Sequence, residues 1–329
     1  MTSPSLRKTA GLQLTTQERD SAASIRPHDG ACGTGVSQVQ APRVSASAEE
    51  GAAKPEMSGR AKKRSLSVKR FHGLGDVIML LPVLDSLVEE GVGVHLATDA
   101  RWVGALRRLR PRIRIDGEAR PDTLDLDSAT ATLEPRAHRS EEFARILGVS
   151  AALSPPRLQA PRSWRKPFLK WEGAIAFAPE ASHPSRLWPV EYSAELAGRL
   201  KGSPLILTGS DERPSLPCDL DLRGRLNLKE LLGLMSVLRA LICMDSGALH
   251  LAAALGVPTF AIFGGVSPQF RIFPEQRVVA LQAKLPCCPC NKKEVCAGRY
   301  DCTKVITPQV VIEAVESRAQ VTARTILQV

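Results

Sequence analysis

Residues 245–264 read D-S-G-A-L-H-L-A-A-A-L-G-V-P-T-F-A-I-F-G, a run whose polar start can hold an anion and whose apolar remainder can position it. Residues 241–244 before it have the continuous apolar character of a buried strand. Residues 249–255 read as an alanine-rich helix with small faces for close packing. Asp245, Ser246 and Gly247 fall where that helix begins. Unpaired backbone N–H groups and the positive end of the helix dipole point outward there, an arrangement suited to phosphate. His250, one turn further in, is placed either to donate to a phosphate or to pack. Gly256 suits a helix C-cap, Pro258 bars continuation, and 259–263 reads as the next buried strand.

A second group of polar residues follows an apolar run at 66–71: His72, Gly73, Leu74, Gly75 and Asp76, then the helix-like V-I-M-L-L-P-V-L-D-S-L. Glycines at 73 and 75 allow a tight turn and close approach to a ligand. Asp76 stands at or near a helix N-terminus, where an aspartate serves either as an N-cap or as a proton acceptor. Four of the eight cysteines, Cys287, Cys290, Cys296 and Cys302, are spaced C-x2-C-x5-C-x5-C, with Cys288 as an alternate. That spacing admits a structural zinc or iron site, with reduced free thiols as the alternative because a tight second pair is missing.

The elements that must carry these residues alternate strand and helix. Strands are expected near 66–71, 93–97, 112–115 and 123–126, with helices near 75–90, 101–109 and 138–147. Further on, strands are expected near 174–178, 204–208, 241–244, 259–263 and 278–281, with helices at 190–201, 228–237 and 247–255. A terminal helix is expected over 308–325. The pattern predicts an α/β protein with parallel sheets covered by helices, divided into 65–165 and 166–329 and joined by a linker near 165–172. Residues 1–64, rich in Ser, Ala, Gly and Thr, are expected to be a disordered tail.

Composition narrows the function classes. No apolar run approaches the roughly 20 residues of a membrane span, and no signal-like segment follows Met1, so a cytoplasmic protein is expected. The formal charge of +10 suggests acidic partners. The densest basic run, Arg107, Arg108, Arg110, Arg112 and Arg114, lacks interleaved aromatics for base stacking, so nucleic acid is not expected as a partner.

Four stretches, taken in order, resemble one family. They are the G-x-G-D turn ending at Asp76 with its Leu-Pro-x-Leu helix, Arg186-Leu187-Trp188-Pro189 with the following helix, P-L-I-L-T-G-S-D-E-R at 204–213, and the segment 222–263. Together they are similar to glycosyltransferase family 9, the heptosyltransferases of lipopolysaccharide core assembly, across about 66–329, thinly at 116–165. The resemblance implies a GT-B fold, two facing Rossmann-like domains with an interdomain cleft, whose terminal helix crosses back toward the first domain. It implies Asp76 as catalytic base and Arg186, with the 245–247 turn, as stabiliser of the departing phosphate. It further implies a donor site drawing on Gly73, Gly75, Ser182, Thr208, Asp211 or Glu212 for the ribose, Asp245, Ser246, Gly247 and His250. Arg186 stands where heptosyltransferases commonly have lysine, and arginine grips a diphosphate bidentately.

On this resemblance the donor is a nucleotide sugar, ADP-heptose, and the acceptor a glycan or glycolipid. The resemblance also implies that no cofactor is required for catalysis; the D-L-D pair Asp125 and Asp127 falls on an expected strand of the acceptor-side domain and not in a donor loop. Contact with an acidic membrane surface, peripheral to the inner membrane, would suit the charge. The alternatives are a catalytically silent nucleotide-sugar-binding protein, since 116–165 is short for acceptor contacts, and a metal-containing nucleic-acid binder.

Overall fold

The computed structural model describes residues 64–131, 135–200, 202–210, 214–291, 293, 295–317 and 321–329. The tail expected over 1–64 lies outside them but for Arg64, as do Asp211 and Glu212. The first half runs β1 (Ser65–Arg70), α1 (Leu74–Glu89), β2 (Gly93–Thr98), α2 (Ala100–Leu109), β3 (Arg114–Asp116), β4 (Leu124–Asp125), α3 (Leu126–Ala131) and α4 (Arg139–Leu147). Its four strands are parallel in the order β3-β2-β1-β4.

The second half begins with α5 (Arg162–Arg165) and a 3-10 turn (Lys166–Trp171). It continues through β5 (Ile175–Ala178), α6 (Val190–Arg199), β6 (Leu205–Leu207), β7 (Leu220–Asp221), α7 (Leu228–Met235), β8 (Ala240–Met244), α8 (Gly247–Leu255), β9 (Thr259–Phe263), β10 (Val278–Gln282), α9 (Asp301–Lys304), α10 (Pro308–Ser317) and β11 (Thr325–Gln328). The seven strands are parallel in the order β11-β10-β9-β8-β5-β6-β7.

Continuous apolar sequence explains the central strands: every residue of β5, β8, β9 and β10 is buried, as parallel strands covered on both faces require. Their side chains alternate between two cores. Phe177, Ile242, Met244, Phe260 and Leu281 pack with Leu196 of α6 and Ile312 and Val315 of α10. Ala176, Leu241, Cys243 and Ala261 face a larger core that extends through Leu249 and Leu251 of α8 into Val68, Leu80 and Leu84 of the first half. α1 is apolar almost all round because it packs between α4 and α8.

Local signals end the helices where the sequence places them. Asn227 and Glu230 form a reciprocal capping box at the start of α7, and Gly256 closes α8 in the left-handed conformation at φ 75°.

Two expectations are corrected, and the 165–172 linker takes a helical form. The helix placed over 308–325 ends at Ser317, and β11 adds a parallel strand beside β10 instead of crossing to the first half. The β-branched V-T-A-R-T-I-L-Q-V sequence beyond it fits a sheet edge better than a helix. The 165–172 linker is helical: buried Trp164 and Phe168 dock on α7, where Gly233 leaves no room for a Cβ, which would lie 2.1 Å from the Trp164 carbonyl oxygen. The strand expected at 123–126 shortens to two residues, and Asp127 becomes part of α3.

Each sheet reverses its winding at one place, between β1 and β4 in the first and between β5 and β8 in the second. Crevices outside the carboxyl ends of such strand pairs are where open α/β sheets bind ligands.

Candidate functional site

The two reversal points bring the singled-out residues together. α1 leaves the end of β1 and α8 leaves the end of β8, and their first turns touch. A Cβ on Gly75 would lie 2.5 Å from Cδ2 of His250, and one on Gly247 would lie 3.4 Å from Cβ of Leu74. Glycine at 75 and 247 is what lets these helix N-termini approach. Gly73, at φ 80°, is the N-cap of α1 and supplies no side-chain cap, so Asp76 sits inside the first turn and does not cap it. Ser246 is the N-cap of α8, also without a side-chain cap bond.

The carboxylate of Asp76 is held by guanidinium groups. Arg70 of β1 hydrogen-bonds Oδ2, while Arg139 of α4 and Arg271 lie 3.7 and 3.6 Å from Oδ1. Burial alone pushes this carboxyl up, but Arg271, Arg139, Arg70 and His250 outweigh it and hold it below the usual carboxylate range. Asp76 is therefore ionised at neutral pH.

Arg70 is fixed from behind by Asp127 at 3.3 Å and by Thr130 at 2.8 Å. Asp127 also accepts from the Phe71 and His72 backbone N–H groups at 2.8 and 3.1 Å, tying the turn before Gly73 to α3. Its partner in the D-L-D pair, Asp125, points elsewhere, to Lys69 at 3.0 Å and to Ser128.

On the other side, Asp245 is buried at the end of β8 and pairs with Arg186, Nε to Oδ2 at 3.3 Å, while Arg186 Nη1 donates to the Asp245 carbonyl at 3.2 Å. Arg186 closes a 3-10 turn (Pro184–Arg186) that is anchored next door, where buried Trp188 donates to the Ile306 carbonyl at 2.7 Å. Ser182 is exposed in the loop after β5. Thr208 is buried at the end of β6, its N–H on the Phe177 carbonyl. Glu180, not singled out from the sequence, accepts from both the N–H and the hydroxyl of Ser210 at 2.7 Å and so fixes the loop after β6.

Two buried histidines border the cluster. Burial first, then the neighbouring arginines, lower His250 to about 4, and burial lowers His138 to about 3. His138 accepts from Ser140 N–H at the start of α4 and leans on Phe273. A neutral His250 can give or take one hydrogen bond but carries no charge to a phosphate.

These depressed values fix a pH dependence. The unfolded chain takes up protons on these imidazoles near pH 6.5 and the folded chain does not, so stability present above that pH is lost as pH falls toward 4. The His250 contribution is about 3 kcal/mol. Urea midpoints should fall over that window, and His250→Gln should flatten the slope. An unchanged slope would show that the imidazole is not held neutral by the fold.

The cysteines do not form the expected cage. Among the described residues no three His, Cys, Asp or Glu side chains come together to hold a metal. Cys287 is exposed, Cys290 and Cys296 are half-buried, and Cys302 is buried at the start of α9, which packs on β9. Cys302 faces the alternate, Cys288: their hydrogen bond lowers the Cys302 thiol to about 7 and raises that of Cys288. Thiolates are suitable ligands for zinc or iron, but in this arrangement they are not gathered around one point, and no step runs through a metal ion.

Four of the five arginines of the basic run at 107–114 are engaged within the chain. Arg107 and Arg114 bind Asp116, Arg110 binds Asp85, and Arg112 reaches the Val88 carbonyl. No helix among the described residues is long and apolar enough to cross a membrane.

Comparison with known proteins agrees with this geometry. The model of glycosyltransferase family 9 (heptosyltransferase) matches residues 138–300. Lipooligosaccharide heptosyltransferase 2 of Haemophilus influenzae is 37% identical over 112 residues, 29% of this chain and 32% of that protein. Lipopolysaccharide heptosyltransferase 2 of Salmonella typhimurium is 29% identical over 161 residues, 44% of this chain and 46% of that protein. The matches thus span less than half the length of these curated relatives.

In fold, the chain resembles a family 9 glycosyl transferase from Veillonella parvula, with TM-score 0.63 and 18% identity over 80% of this chain and 99% of that one. It also resembles the iron-containing dodecameric glycosyltransferase TibC of enterotoxigenic E. coli, with TM-score 0.63 and 18% identity over 81% and 79%. The ADP-heptose lipopolysaccharide heptosyltransferase II of E. coli gives TM-score 0.54 and 17% identity over 78% and 98%. Two parallel sheets meeting through glycine-started helices, and a family match over the half that carries Arg186, Asp245 and His250, lead to one conclusion: the chain belongs to glycosyltransferase family 9.

Proposed function

We propose that the protein is an inverting glycosyltransferase that moves a sugar, heptose from ADP-heptose, to a lipopolysaccharide-type or other glycan acceptor. The observation that carries this reading is the meeting of the α1 and α8 N-termini with Asp76 on one side and the Arg186–Asp245 pair on the other. The donor diphosphate would lie against the first turn of α8, where free N–H groups and the helix dipole favour its charge, with Arg186 beside it. Ser182 and Thr208 lie on the loops at the carboxyl ends of β5 and β6, where the rest of the nucleotide would extend. The curated relatives are named as heptosyltransferases, and one solved neighbour was determined with ADP-D-β-D-heptose, which supports the choice of donor.

The acceptor hydroxyl attacks the anomeric carbon from the face opposite the diphosphate and gives its proton to Asp76. The new C–O bond forms as the bond to the phosphate oxygen breaks, and the ADP departs with the electron pair onto Arg186 and the α8 N–H groups. His250, neutral and packed on Gly75, would keep the two helix starts in register. No metal ion is needed in this scheme. The surface charge would favour an acidic glycolipid on the cytoplasmic face of a membrane.

Incubation of the full chain with ADP-heptose and saccharide acceptors bearing carboxylate or phosphate groups tests the reading. An acceptor product heavier by one heptose, formed in the presence of a chelator, is expected. Release of no product with any acceptor, together with no affinity for ADP, would overturn it.

A further inference from the structure

Three guanidinium groups around one carboxylate is more than Asp76 needs to remain ionised, and the three are not equivalent. Arg70 has its own acid in Asp127, at 3.3 Å, and further bonds to Leu126 and Thr130. Arg139 has Glu142 at 2.8 Å. Arg271 is different: among the described residues Asp76 is the carboxylate it pairs with, at 3.6 Å, too long for a hydrogen bond. Its side chain is 8% exposed, and its Nε, like those of Arg70 and Arg139, has no hydrogen-bond partner, so the missing second acid is what sets it apart. A buried guanidinium with donors to spare is costly unless something else takes them.

Position suggests what that is. Arg271 follows a 3-10 turn (Pro268–Phe270) in the segment leaving the carboxyl end of β9, the neighbour of β8, so it borders the crevice whose floor is the first turn of α8. A diphosphate against that turn offers two adjacent anionic groups, the geometry a guanidinium grips bidentately.

We propose that Arg271 is a donor-released clamp on Asp76: the diphosphate of the incoming nucleotide sugar draws its guanidinium off the carboxylate, and Asp76 becomes a competent proton acceptor only once the donor is in place. This rests on the reading of Asp76 as the base. The groups facing Asp76 are Arg70 from β1, Arg139 from α4, Arg271 from the β9–β10 segment and His250 from α8. Of these, Arg271 is the one without a second acid to hold it. With it gone, Arg70 and Arg139 remain shared with Asp127 and Glu142, and the burial that raises the carboxyl is opposed by less positive charge. Arg271 in this scheme is a positioning residue with two alternative partners, and the two states differ in the proton affinity of Asp76.

The consequence is proton uptake on donor binding at mildly acidic pH. Calorimetric titration of the full chain with ADP-glucose, whose diphosphate has no group titrating near pH 5, in two buffers of different ionisation heat measures it. The wild-type protein is expected to take up protons at pH 5. Asp76→Asn should bind at least as tightly, because Arg271 is already free, without the uptake. Arg271→Gln should bind about tenfold more weakly, and its uptake should fall below half; Arg271→Lys, which keeps the charge, should recover part of both.

Tight binding without proton uptake in the wild type would overturn the clamp and leave the transferase reading standing. Uptake unchanged in Arg271→Gln would do the same, and the wild-type measurement stands even if that variant fails to fold. Failure of the wild type to bind ADP-glucose, ADP or ADP-heptose would overturn the transferase reading and the clamp with it. Product formation by Asp76→Asn at the wild-type rate would remove Asp76 as base and overturn the clamp with it.

Discussion

Asp76→Asn is expected to lower turnover about 1,000-fold while nucleotide affinity holds or rises, a magnitude in the range for loss of a general base. Asparagine keeps the shape of the side chain and can still accept from Arg70, but it cannot take the proton of the attacking hydroxyl. The same change leaves Arg70, Arg139 and Arg271 without their common counter-charge. Removing one member of a buried ionic cluster costs about 3 kcal/mol, so urea unfolding should show a loss of that order. Kinetics and unfolding together separate the two effects. A variant as active as the parent and less stable would leave Asp76 a structural anchor, and a variant inactive yet fully folded with intact nucleotide affinity is the result for a base.

The second large effect is expected at Gly264, far from Asp76 in sequence and without any chemistry of its own. It follows β9, and a Cβ there would lie 1.9 Å from the carbonyl oxygen of Ser185 and 3.2 Å from Cγ2 of Thr303. The first obstacle is backbone, so Gly264→Ala must displace the turn that carries Arg186. That turn is braced by Trp188 on Ile306 and by the His183 side chain on Ser185, and it cannot retreat freely. Overpacking of this kind costs about 3 kcal/mol or more. Nucleotide affinity should fall with it, because Arg186 moves off Asp245. Thermal unfolding and ADP titration of the same variant check both parts; a wild-type melting temperature would show that the turn is looser than its contacts imply.

The parallel-sheet architecture was legible in the sequence because apolar runs without alternation occur in strands buried on both faces, as in β8, β9 and β10. The glycines of the two helix starts were legible too, since a turn that brings backbone close to a ligand or to another helix excludes side chains. The arginines around Asp76 were not. Arg70 looks like the last residue of an ordinary strand, Arg139 like a solvated helix residue and Arg271 like a loop charge. Only the packing of α1 against α4 and α8 brings them onto one carboxylate.

Asp127 was read as part of a strand when it lies in the first turn of the helix after it, and its bonds to the Phe71 and His72 N–H groups depend on the β1–β4 pairing, which local sequence does not specify. The arrangement of the cysteines was not legible for a related reason. Spacing along the chain sets which thiols can reach one another, but the burial of α9 against β9 decides which do, and it pairs Cys302 with Cys288. The chain end misled because the apolar positions of 308–317 continue into β-branched residues that a helix pattern also tolerates.

The proposed chemistry requires that the meeting point of the α1 and α8 N-termini bind a nucleotide sugar. Calorimetric titration of the full chain with ADP, UDP, GDP and their sugar conjugates, with and without magnesium, tests it most directly. Selective, magnesium-independent binding of ADP and ADP-heptose that weakens in Arg186→Ala is expected. Absence of binding by every nucleotide, or binding that Arg186→Ala leaves untouched, would contradict it.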